Sequence, residues 1–111
     1  MSPSMFESIP HTAFEVDDKG RVPSYNIHAL TFLGYQPQHM PRGLSFVELV
    51  VPEERAEASR QLSRWLEGDC EKAWPHTLRK ADGSTVEAVL EGVPCLRSGR
   101  LVALTVNVFA E

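Results

Sequence analysis

The stretch that most restricts the fold is residues 76–90, where two extended runs flank Asp82-Gly83. Asp-Gly readily adopts the positive-φ geometry of a tight hairpin turn. Beyond the turn, Val86, Ala88 and Leu90 alternate with Glu87. Before it, Trp74, His76 and Leu78 share one parity, and Thr77 and Arg79 take the other. A period of two with one apolar side predicts an antiparallel hairpin packed through that side on a core. The rest of the chain must supply the cover.

At the start, a short helix fits residues 3–9, with Ser2 or Ser4 as cap, Phe6 and Ile9 as apolar contacts, and Pro10 as its stop. His11 to Val16 reads as a strand, followed by the turn Asp17-Asp18-Lys19-Gly20. Arg21 to Tyr25 is a second, short strand, and Pro23 assigns it to an edge because proline cannot donate to a ladder. Asn26 is a good N-cap for a helix over Ile27–Leu33 that ends at Gly34. Pro37, Pro41 and Gly43 leave room for a single helical turn in residues 36–43. Leu44 to Val51 reads as a short helix, with a strand as the weaker choice.

The best helix signal is Pro52 to Glu67. Proline suits the first turn, and Glu53-Glu54 suit the positive end of the dipole. Ala58, Leu62, Trp65 and Leu66 form its apolar stripe, and Gly68 closes it. Arg97-Ser98-Gly99-Arg100 is another turn, and Leu101 to Phe109 is the last strand. Leu101, Ala103, Thr105, Asn107 and Phe109 share one face; Val102, Leu104, Val106 and Val108 share the other. The second face is wholly apolar and must be covered, by the N-terminal helix through Phe6 or by a second copy of the chain. The order is β-β-α-α-α-α-β-β-β, an α+β chain without internal repeat or linker.

A chain of 111 residues is one domain, residues 1–111, large enough to bury a core without staples. The formal charge of −4 leaves no basic surplus for nucleic acid. Cys70 and Cys95 lack zinc-ligand spacing, so two free thiols are expected and no metal. Apolar runs fall far short of the about 20 residues of a membrane span. The N-terminus lacks the basic start and apolar stretch of a signal peptide. A cytoplasmic location follows as the expectation, within a membrane-anchored sensor or outside one.

Several stretches together resemble one family along nearly all of the chain. Phe6-Glu-Ser-Ile-Pro leads into Phe14-Glu-Val-Asp and the Gly20 turn; Asn26-x-x-Ala29 runs to Leu33-Gly34-Tyr35; Leu49-Val-Val-Pro-Glu-Glu-Arg55 precedes the long helix; Lys80-Ala-Asp-Gly-Ser84 is the central hairpin. In order and spacing these resemble a PAS domain. The resemblance implies a five-stranded antiparallel sheet with short helices and one longer helix on one face, and a pocket between them. It divides the chain into an N-terminal flanking helix (residues 1–10) and a PAS core (residues 11–110). It implies a sensory, non-enzymatic module of a bacterial-style signalling protein, a homodimer that regulates an effector beyond Glu111, such as the histidine kinase of a two-component system or a diguanylate cyclase.

The same resemblance argues against two cofactors and names none. Flavin photosensors of the family carry Asn-Cys-Arg on a mid-chain helix, which is absent here, and Leu78 and Ala88 stand where their hairpin has asparagines. Haem-binding members take a histidine from the long helix, and residues 52–67 contain none. Cys70 lies loosely where photoactive yellow protein attaches its chromophore, without the acidic partner that chemistry needs.

There remains a pocket for a small, mainly apolar ligand. By parity its walls are Phe14, Leu30, Phe46, Leu62, Trp65, Leu66, His76, Leu78, Ala88, Leu90, Thr105 and Asn107, with His76, Thr105 and Asn107 as inward polar groups. The dimer or helix-covering face is Phe6, Val102, Leu104, Val106 and Val108. The competing reading is a ligand-free dimerisation module. A third is a small isomerase-like α+β enzyme with Glu15 or Glu48 as base.

Overall fold

The computed structural model describes residues 11–39 and 43–110. Seven strands and two α-helices follow in the order β1 (Ala13–Asp17), β2 (Arg21–Val22), β3 (Ser24–Tyr25), α1 (Ile27–Leu33), β4 (Leu44–Ser45), α2 (Arg55–Leu66), β5 (Trp74–Arg79), β6 (Thr85–Arg97) and β7 (Arg100–Ala110). Five of them form an antiparallel sheet in the order β3-β1-β7-β6-β5, and β2 pairs with β4 in a separate two-stranded ladder. The short helix expected at residues 3–9 lies outside the described residues, as does Phe6.

Local chemistry accounts for most boundaries. Pro23 splits the expected second strand in two: Arg21–Val22 turn to β4 while Ser24–Tyr25 pair with β1. Asn26 is 2% exposed and caps α1, its Oδ1 accepting the Ala29 amide at 2.9 Å. The same oxygen accepts the Ala13 amide, and Nδ2 donates to the His11 carbonyl. One side chain thus fixes the start of α1 to the start of β1. The stretch expected as a short helix over 44–51 is mixed, a two-residue strand and then a 3-10 turn over Phe46–Leu49. A 3-10 turn over Pro52–Glu54 leads into α2. At the hairpin, Asp82 Oδ1 accepts the Ser84 amide and Gly83 supplies a φ of 89°.

The core lies between the helices and one face of the sheet. Tyr25, Phe14, Phe46 and Trp65 form a chain of ring contacts, with centroids 5.9–6.0 Å apart. Val16, Leu33, Leu62, Leu78, Ala88, Leu90, Leu104, Val106 and Val108 complete it. α2 comes down onto the sheet at Gly92, where an added Cβ would lie 2.9 Å from the Trp65 indole. Only glycine lets the ring approach that closely.

The expected faces of β7 are reversed. Leu104, Val106 and Val108 are buried in the core beneath α2, so they do not form an external dimer face. Thr105 and Asn107 point to the opposite, outer face, paired with Val93 and Glu91 across the ladder. The apolar face did need a cover, and the chain's own helices and aromatic cluster provide it. Val102, of the same parity, lies near the hairpin tip and is 43% exposed.

Two substitutions test this packing. Gly92→Ala should destabilise the domain by about 1–3 kcal/mol through overpacking, read from the urea midpoint, and most of that loss should vanish in a Trp65→Ala background. Asn26→Ala should lose about 1–2 kcal/mol with its cap. Asn26→Asp, which keeps the capping oxygen and loses only the donor to His11, should lose less.

Candidate functional site: a filled core and a polar seam

The residues expected to line a pocket divide into three groups. Phe14, Phe46, Leu62, Trp65, Leu78, Ala88 and Leu90 are brought together in the core, with Leu30 and Leu66 packed at its margin. Their side chains fill the space between helices and sheet: Phe14, Phe46, Trp65, Leu78, Ala88 and Leu90 are each 0% exposed. Thr105 and Asn107 are elsewhere, on the outer face. Asn107 shares its Oδ1 with His11 Nε2 at 2.9 Å and donates to Glu91.

His76 is the third case. It sits on the core side of β5, and its side chain is 2% exposed. Nδ1 lies 3.0 Å from Glu54 Oε1, and Nε2 lies 2.5 Å from Gln61 Oε1. Glu54 Oε1 also accepts the Thr77 amide at 2.9 Å, while the Thr77 carbonyl accepts from the Val51 amide. The Gln61 amide nitrogen is 3.4 Å from Glu57 Oε1, and Arg60 holds the other Glu57 oxygen. A cleft of about 260 Å³ opens here, lined by Glu54, Glu57, Pro75, His76, Thr77 and Glu87.

The electrostatics follow from these bonds. The Thr77 amide, and after it the His76 ring, hold the Glu54 carboxyl below the usual carboxylate range despite some desolvation. Arg60 does the same for Glu57. Sequence reasoning singled out His76 but not its partners, because Glu54 was already explained by the helix dipole. A signal was present: Glu54, Ala58, Gln61 and Trp65 recur at helical spacing, placing two polar groups on the stripe that faces the sheet.

The other candidates are tied into local structure. Glu48 accepts the Ser45 amide at 2.9 Å, and Glu15 accepts from Ser24 on the sheet's outer side. Cys70 and Cys95 are both free thiols. Burial, aided by Asp69, pushes the Cys70 thiol up, away from the thiolate that covalent chemistry would need. Among the described residues no group of three or more His, Cys, Asp or Glu side chains is placed to hold a metal ion. No helix among them is long and apolar enough to cross a membrane.

Similarity to known proteins agrees with this architecture. The PAS fold family's sequence profile matches residues 2–107. The crystal structure of a PAS domain from Desulfitobacterium hafniense superposes with a TM-score of 0.77 at 16% identity, covering 98% of this chain and 100% of that one. A PAS domain from Colwellia psychrerythraea gives 0.81 at 16% identity, covering 96% and 90%. A PAS domain from a two-component sensor histidine kinase gives 0.74 at 11% identity, also covering 96% and 90%. No curated protein sequence matches the chain. With its helices on one face of a five-stranded antiparallel sheet and a family match spanning nearly its whole length, the chain belongs to the PAS-fold family.

Proposed function

We propose that this PAS domain is a non-catalytic interaction module of a signalling protein, working through association at the outer face of its sheet rather than by holding a cofactor. The carrying observation is the contrast between the two faces. The inner face is occupied by the Phe14–Phe46–Trp65 cluster at 0% exposure, whereas the outer face presents Val93 and Phe109, 44% and 43% exposed, on adjacent central strands. His11 stacks on Phe109 at 5.5 Å, so the segment entering β1 borders the same surface. Central strands with apolar groups directed outward favour a partner over bulk water.

In this reading residues 11–110 are the regulatory core and residues 1–10 a flanking segment. A homodimer is the simplest partner, and a cytoplasmic kinase or cyclase effector the natural recipient of the signal. The similarity to a PAS domain of a sensor histidine kinase supports that setting.

One observation favours a second reading, ligand sensing. The Trp65 indole N–H is buried without a hydrogen-bond partner. An orphan donor in an apolar core is costly unless water or a ligand acceptor reaches it. A small molecule carrying such an acceptor would have to part α2 from the sheet.

Sedimentation equilibrium combined with mass spectrometry of the denatured protein separates the two readings. Concentration-dependent association that is lost in Phe109→Glu and Val93→Asp, with no co-purifying small molecule, is the expected result. A stoichiometric bound compound, or association indifferent to both substitutions, would overturn the interaction reading.

A further inference from the structure

The seam at His76 contains a constraint on protonation. Glu54 and Glu57 are both held ionised, so their oxygens only accept. Glu57 Oε1 therefore takes the NH₂ end of the Gln61 amide, which turns the Gln61 carbonyl oxygen toward His76. Each ring nitrogen of His76 then faces an oxygen acceptor, Glu54 on one side and Gln61 on the other. Two acceptors require two N–H groups, and only the imidazolium has both.

We infer that His76 is a proton-controlled clasp between β5 and α2: as imidazolium it closes the chain Glu54–His76–Gln61–Glu57, and loss of its Nε2 proton turns the Gln61 side-chain amide over and releases Glu57. The proton leaves to water through the cleft beside the ring. The neutral ring keeps Nδ1–H on Glu54, but its bare Nε2 lone pair then faces the Gln61 oxygen. Rotating the amide end for end gives Nε2 a donor and sets the Gln61 oxygen against the Glu57 carboxylate. In neither arrangement of the neutral form are all four groups satisfied, so α2 loses one tie to the sheet.

The charged groups around the ring come from three elements. Glu54 lies on the 3-10 turn before α2, Glu57 and the Arg60 that pairs with it lie on α2, and Glu87 lies on β6, opposite Thr77. The signs give a window. Glu54, held below its ordinary range, contributes stability above the usual carboxylate pKa, and this is lost as pH falls through its lowered native value. The His76 contribution is present in the protonated form and is lost as pH rises through its titration. The clasp is closed between those two limits.

The test is long-range ¹⁵N–¹H spectroscopy of the His76 ring and of the Gln61 side-chain amide over about pH 5–9, together with Tm across the same range. The expected result is both ring nitrogens protonated at the acid end, loss of the Nε2 proton with rising pH, and a shift of the Gln61 amide resonances at the same midpoint. Gln61→Met, which keeps chain length and removes the amide, should show a smaller fall in Tm with rising pH than the wild-type domain. A ring protonated on one nitrogen throughout, a titration that leaves the Gln61 amide unmoved, or an equal fall in Tm in Gln61→Met would each overturn the clasp.

Discussion

The contact on which the other packing depends is the Trp65 indole lying on Gly92. A helix resting on a sheet is normally held off by the side chains between them. Here one strand position has none, and the largest side chain of the helix fills the space. That sets the depth of α2 and lets Leu62 and Ala58 reach the apolar face of the central strands. It also brings the indole to Phe46, and through Phe46 to Phe14 on β1, so one aromatic chain spans helix, loop and sheet. Rings in offset contact add direction to what would otherwise be unspecific apolar burial.

A second constraint is the free edge of β5. An edge strand exposes unpaired amides and carbonyls to any other chain, and natural sheets cover or blunt them. In this domain the cover is the segment just before α2. Val50 forms a bridge with Leu78, the Val51 amide donates to the Thr77 carbonyl, and Glu54 accepts the Thr77 amide. The same carboxylate turns to His76, so covering the edge and placing α2 are one arrangement. A polar seam therefore runs along the margin of an otherwise apolar core.

The hairpin around Asp82-Gly83 was legible in the sequence because turn chemistry and a period of two coincide there. The caps of α1 were legible for the same reason: Asn26 and Gly34 are local signals that need no tertiary partner. The direction of β7 was not. Its faces are Leu-Ala-Thr-Asn-Phe and Val-Leu-Val-Val, and the polar groups of the first suggested a ligand pocket. Strand alternation reveals that two faces differ, but not which of them meets the helices. The pairing with β1 settles it, since Phe14 lies opposite Val106 and Val16 opposite Leu104. Likewise His76 was visible as a polar residue on an apolar face, while its partners lie 22 and 15 residues away and become neighbours only once α2 has docked.

The buried polar side chains among the described residues are Asn26, Gln61 and His76, and all three stand where a helix meets a strand. Apolar burial favours bringing α1 and α2 onto the sheet but tolerates a range of rotations and offsets, because dispersion contacts are individually weak. Hydrogen bonds with fixed geometry do not tolerate that range. Asn26 accepts from Ala13 and Ala29 at once, which admits one placement of α1 against β1. Gln61 meets His76 only when α2 has the correct rotation and height over β5. Division of labour follows: the aromatic core makes the helices dock, and three polar groups at its rim determine where. Of those groups only His76 can change its donor count with a proton, so the seam beside α2 is where the docking geometry can respond to conditions.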